Sequence, residues 1–92
     1  MEFSIAQTDL SYALQTALAS VPSKSTLPIL QALLFEVEEN QLRITGTDLE
    51  VTTSITVPCT AKSGGRVAVQ ARHFADAVRK LPKGEVRVAE ED

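Results

Sequence analysis

Between Leu33 and Val57, separate runs with apolar side chains at alternate positions commit the middle of this chain to strands. Leu33, Phe35 and Val37 alternate with Leu34, Glu36 and Glu38, and E-E-N-Q forms a polar turn into Leu42 and Ile44. A period of two places one set of side chains on one face of a pleated strand, so the pattern reads as a hairpin with one buried face. G-T-D-L-E then turns the chain into V-T-T-S-I-T-V, where Leu49, Val51, Thr53, Ile55 and Val57 share a face until Pro58 stops the strand.

Helical periodicity flanks this region on both sides. Leu10, Ala13, Leu14, Ala17, Leu18 and Val21 form one stripe, which predicts a helix from a Thr8 cap to about Ala19, ended by Pro22. Its outer face carries Tyr12, Gln15, Thr16 and Ala19, with no lysine or arginine. A short strand at Val67 and Val69 leads into a second amphipathic helix over 71–81, with Phe74, Ala77, Val78 and Leu81 inward and Arg72, Asp76 and Arg79 outward. L-P-K-G ends it, and Glu85 to Ala89 reads as a last strand with Val86 and Val88 inward.

An offset of 64 residues pairs Phe3 with Val67, Ile5 with Val69, Leu10 with Phe74, Ala13 with Ala77, Leu14 with Val78 and Ala17 with Leu81. Either the two halves are equivalent, or any two strand-helix units would match this well. If they are equivalent, the second unit stops after one strand where the first continues through three, and the last strand presents unpaired backbone groups at an edge.

The 92 residues are one domain at most, and 43% hydrophobic with 23% charged residues is an ordinary globular composition. Cys59 is the single cysteine, so an internal disulfide is impossible and no zinc-site spacing exists. With no apolar run near the ~18 residues of a membrane span, a cytoplasmic protein without membrane contact is expected.

The net charge of −3 hides an asymmetry. Residues 1 to 60 hold only Lys24 and Arg43 against Glu2, Asp9, Glu36, Glu38, Glu39, Asp48 and Glu50, whereas Lys62, Arg66, Arg72, Arg79, Lys80 and Lys83 face one acid, Asp76. Lys24 sits in P-S-K-S-T-L-P-I-L, an interruption between regular segments at 22 to 30. These cations lack accompanying base-reading or stacking groups, the composition of a surface that holds a nucleic-acid backbone without reading it; a solvated, merely solubilising face is the alternative.

The other candidate chemistries are weak. Asp48 and Glu50 are spaced like a carboxylate couple, but Asp48 beside Gly46 reads as a turn residue bonding its own backbone. His73, the only histidine, has no nucleophile signature to serve. K-S-G-G at 62 to 65 lacks the upstream glycine and following helix of a phosphate loop and reads as a turn. No catalytic residue, metal site or cofactor is expected.

T-L-P-I-L (26 to 30), L-x-I-T-G-T-D-L-E (42 to 50) and A-R-x-F with L-P-x-G (71 to 84) resemble the first domain of the bacterial sliding clamp family, the beta subunit of DNA polymerase III. The resemblance covers almost the whole chain. It implies an α+β DNA-clamp fold, β-α-β-β-β repeated, with helices on one face of antiparallel sheet and the second half incomplete, so that residues 1–92 are a partial amino-terminal domain, the first of three. It further implies a non-catalytic ring of two subunits that encircles duplex DNA without sequence preference and tethers the polymerase for processivity. Carried over by position, Lys24 and Arg72 are expected DNA-backbone contacts, with Arg79 and Lys80 on the same inner surface. In the full-length parent the implied partners are a second clamp subunit, DNA polymerase III and the clamp loader, and the polymerase-binding pocket lies outside this chain. The competing reading is a small α+β interaction module that pairs through its exposed last strand.

Overall fold

The computed structural model describes residues 1–21, 31–48 and 50–90. In chain order they form β1 (Glu2–Ala6), α1 (Gln7–Leu18), β2 (Ala32–Glu38), β3 (Gln41–Thr47), β4 (Thr52–Pro58), β5 (Thr60–Ser63), β6 (Gly65–Gln70), α2 (Ala71–Arg79) and β7 (Glu85–Ala89). All strand pairs are antiparallel, in a four-stranded sheet of order β4-β3-β2-β6 and a three-stranded sheet of order β5-β1-β7.

Alternation in the sequence sets the registers. Leu33, Phe35 and Val37 of β2 and Leu42 and Ile44 of β3 are buried, with Phe35 opposite Ile44 and Val37 opposite Leu42. Fully burying side chains of this size contributes roughly 1.5–3 kcal/mol each, and a one-residue slip would turn them to solvent. The hairpin closes through Glu39 (φ 51°) and Asn40 (φ 61°), the two left-handed residues that a tight two-residue turn requires.

Each strand-helix unit lends its first strand to the other. β1 leaves the sheet of β2, β3 and β4 and pairs with β7, while β6 pairs with β2. The 64-residue offset therefore has a structural counterpart: β1 and β6 each begin a unit, precede its helix and complete the opposite sheet. Phe3 and Ile5 on β1 are buried with Leu10, Ala13, Leu14 and Ala17 of α1, so one core is built from both units.

Several expectations are corrected. Thr8 does not cap α1; the helix starts at Gln7 after Ala6, which makes no side-chain cap bond. Its start is fixed from elsewhere, because the Gln7 N–H donates to the Gly84 carbonyl at 2.7 Å and its Nε2 to the Val78 carbonyl at 3.0 Å. Val51 does not join the β4 face and is 56% exposed. The cause is local: Asp48 accepts from the amides of Glu50 (2.9 Å) and Val51 (2.7 Å), so the turn expected at Asp48 reaches through Val51 and keeps it off the strand face. Leu49 lies outside the described residues.

In α2, Val78 is buried and Phe74 half-buried as expected, but Ala77 is exposed and Leu81, beyond the helix, is 43% exposed. The covered stripe passes through Ala71, Phe74, Ala75 and Val78. Phe74 sets the edge of its ring on Phe35, centroids 5.2 Å apart at 84°. Strands β3 and β4 pack against α1, whereas Ala77 and Leu81 of the second unit stay exposed among the described residues.

Thr60–Ser63 forms a strand, paired with β1, that the sequence reading does not place. Asn40 fastens it: its carbonyl accepts the Cys59 N–H at 3.0 Å and its Oδ1 the Ala61 N–H at 2.8 Å, which clips β5 to the hairpin tip.

Candidate nucleic-acid interface

Of the four predicted contact residues, Arg72 and Arg79 line one groove, between α1 and α2. Its other lining residues are Ser11, Gln15 and Leu18 from α1 and Ala75 and Asp76 from α2. Positions 72, 76 and 79 fall within roughly 60° of one another around a helix, with 80 about 40° beyond that arc. Lys80 is the C-cap of α2 and is exposed. Lys24 lies outside the described residues.

The two arginines are engaged differently. Arg72 Nη2 donates to the Val21 carbonyl at 3.0 Å, just past the end of α1. A guanidinium has five donors in a fixed fork, so this bond leaves others for an anion. Arg79 pairs with Asp76 one turn earlier at 2.9 Å, with both side chains more than half exposed (66% and 58%). Such a pair is worth little in water and opens easily for a stronger anion.

The basic zone read from the sequence divides in space. Lys62 stands on β5 and Arg66 on β6, while Arg72, Arg79 and Lys80 belong to α2. Arg43, on β3, is bound to Glu36 at 2.8 Å and belongs to the sheet surface. The α1 face supplies neutral groups, Ser11 and Gln15 in the groove and Tyr12 at 64% exposure. The groove thus offers cations from one helix and hydrogen-bonding side chains from the other.

Sequence reasoning missed the ties that hold this groove. Gln7 at the start of α1 bonds the end of α2, and Arg72 at the start of α2 bonds the end of α1. A buried glutamine at a strand-helix junction carries no periodic signal, and an outward arginine does not announce a main-chain partner.

Asp48 is occupied by its own turn. Its backbone bonds from Val51 and Glu50 hold its carboxyl below the ordinary value of 3.8. Burial pushes the Cys59 thiol up, away from thiolate reactivity.

Comparison with known proteins agrees with this architecture. The family model described as DNA polymerase III beta subunit, N-terminal domain, matches residues 1–92. The chain belongs to that family. The Beta sliding clamp of Vibrio cholerae is 40% identical over 94% of this chain and 24% of its own length. That of Staphylococcus epidermidis is 31% identical over 97% of this chain and 26% of its own. Among solved structures, the Bacillus subtilis DNA polymerase sliding clamp superposes with a TM-score of 0.95 at 27% identity, covering 100% of this chain and 26% of that one. Caulobacter crescentus pol III beta gives 0.94 at 28% identity, covering 97% and 24%. The clamp fold expected from the sequence is present, and the chain spans about a quarter of the length of these relatives. No helix among the described residues is long and apolar enough to cross a membrane.

Proposed function

We propose that these 92 residues are clamp-domain material, the amino-terminal part of the first of three domains, acting within a sliding clamp that encircles duplex DNA and tethers the replicative polymerase. The proposed contact is to the phosphate backbone through Lys24, Arg72, Arg79 and Lys80. The observation that carries it is the α1–α2 groove: Arg72 and Arg79 on one wall, neutral hydrogen-bonding side chains on the other, within a family whose members are named sliding clamps. A contact that must slide is served by cations directed at phosphates, which carry no sequence information. The role is contact and tethering, not chemistry. In the assembled clamp the proposed partners are a second subunit, DNA polymerase III and the clamp loader.

Amide chemical-shift mapping tests the placement. Titrating a short duplex into the labelled chain is expected to move resonances of the α1–α2 groove and leave those of β2, β3 and β4 in place. Shifts centred on the sheet surface around Arg43 and Arg66 would reject it.

A further inference from the structure

Gln7, only 7% exposed, sits where β1 passes into α1, and its side chain bonds a residue 71 positions away. Its Nε2 donates to the Val78 carbonyl at 3.0 Å, and its main-chain N–H donates to the Gly84 carbonyl at 2.7 Å. One residue thus fastens both ends of the turn that follows α2. That turn carries Arg79, Lys80 and Lys83.

The two anchor points set the course of the chain between them. The last carbonyls of an α-helix lack partners within it, and Val78 is satisfied by two donors, Gln7 Nε2 and the Leu81 N–H at 3.1 Å. Lys80 N–H returns to the Asp76 carbonyl at 3.3 Å. Pro82 has a fixed φ and narrows the conformations open to Leu81 before it, so a turn of this composition has few ways to run between fixed ends. The main chain at Arg79 and Lys80 is thereby set relative to α1.

Burial alone would be served by an apolar side chain. A buried amide costs free energy unless it is bonded, and this one directs its bond at the main chain next to Arg79. Arg79 lines the groove from α2, while Ser11 and Gln15 line it from α1. The Gln7 bond joins these two walls at the end of the groove opposite the tie between Arg72 and Val21. Cations whose main chain is already ordered lose less freedom when they meet phosphates.

We infer that Gln7 is a positioning residue for the phosphate contact, holding the turn after α2 so that Arg79 and Lys80 meet the duplex backbone already in place. The inference rests on the reading of the groove as a DNA contact. Gln7→Met tests it, since it keeps the size of the side chain and the main-chain bond to Gly84 and removes the Nε2 donor. Duplex titrations of the 92-residue chain and of the variant, followed by amide shifts, give the two affinities, with circular dichroism confirming that both are folded at the temperature used. The variant is expected to bind about three- to tenfold more weakly at low salt. In an Arg79→Ala, Lys80→Ala background the same substitution should change affinity by less than about twofold, because the groups it acts through are gone. Should Gln7→Met not fold, Gln7→Asn, one methylene short of Val78, makes the same comparison. A glutamine with a structural role alone would lower the melting temperature and leave the affinity of the folded chain unchanged; that result overturns the inference, as does an equal loss with and without the two cations. An unsubstituted chain whose groove ignores the duplex rejects the DNA reading and this inference with it, whereas a groove that binds duplex and is indifferent to Gln7→Met rejects the inference alone.

Discussion

Arg72, at the start of α2, donates from Nη2 to the Val21 carbonyl at 3.0 Å, so a residue expected to contact DNA also ties the second helix to the end of the first. Gln7 makes the converse tie to Val78. Together they hold the walls of the groove in register, each helix beginning where the other ends.

Arg72→Ala is therefore predicted to lower stability by about 1–2 kcal/mol, since a hydrogen bond from a charged donor is lost and a carbonyl loses its partner. Urea unfolding measures it. Arg72→Lys should recover only part, because an ammonium lacks the planar fork.

Gly46→Ala is predicted to be among the most damaging single-methyl additions. A Cβ there meets the Ala17 carbonyl oxygen at 2.6 Å and the side chains of Leu33 and Val21 at 3.0 Å. The first obstacle is helix backbone and cannot step aside alone, so a loss of about 1–3 kcal/mol is expected. A reduced urea midpoint with an unchanged m-value is the signature.

Asp48 predicts the direction of one pH effect. Its folded carboxyl titrates below 3.8 because the Val51 and Glu50 amides stabilise the charged form. A depressed carboxylate contributes stability that is present above the unfolded value and is lost as pH falls through the folded value. Asp48→Ala should thus flatten the acid limb of the stability-pH curve below about pH 4 and lower stability at neutral pH, as followed by thermal melts across pH.

Asp76 holds Arg79, a proposed phosphate contact, at 2.9 Å. Asp76→Asn frees that guanidinium and removes a negative charge from the groove, so duplex affinity should rise by a fewfold at low salt, the gap narrowing as salt screens both terms. An NMR titration reads both.

The strands were legible in the sequence because period-two burial is a strong signal, and Phe35, Val37, Leu42 and Ile44 lie where alternation placed them. The repeat was legible as residues but not as topology, since nothing in Phe3 or Val67 says that β1 and β6 will exchange sheets. Tertiary context decided the rest. Gln7 replaced Thr8 at a helix start through bonds to Gly84 and Val78. Asn40 fastened the strand Thr60–Ser63 through two long-range bonds. The face containing Ala77 and Leu81 was expected inward because sequence shows amphipathicity and not what stands opposite. In the groove, Arg72 and Arg79 were found by charge and spacing, while their engagement with Val21 and Asp76 required the fold.

A phosphate contact blind to sequence makes duplex affinity depend on salt and not on base order. The chain should bind two unrelated duplexes equally and weakly, near 10⁻⁴ M or weaker, with a log–log salt slope no steeper than about −3.6 if Lys24, Arg72, Arg79 and Lys80 each meet a phosphate. Arg79→Ala and Lys80→Ala should each reduce that slope by about 0.9. Affinity that differs between the two sequences, or a slope unmoved by both substitutions, would contradict the account.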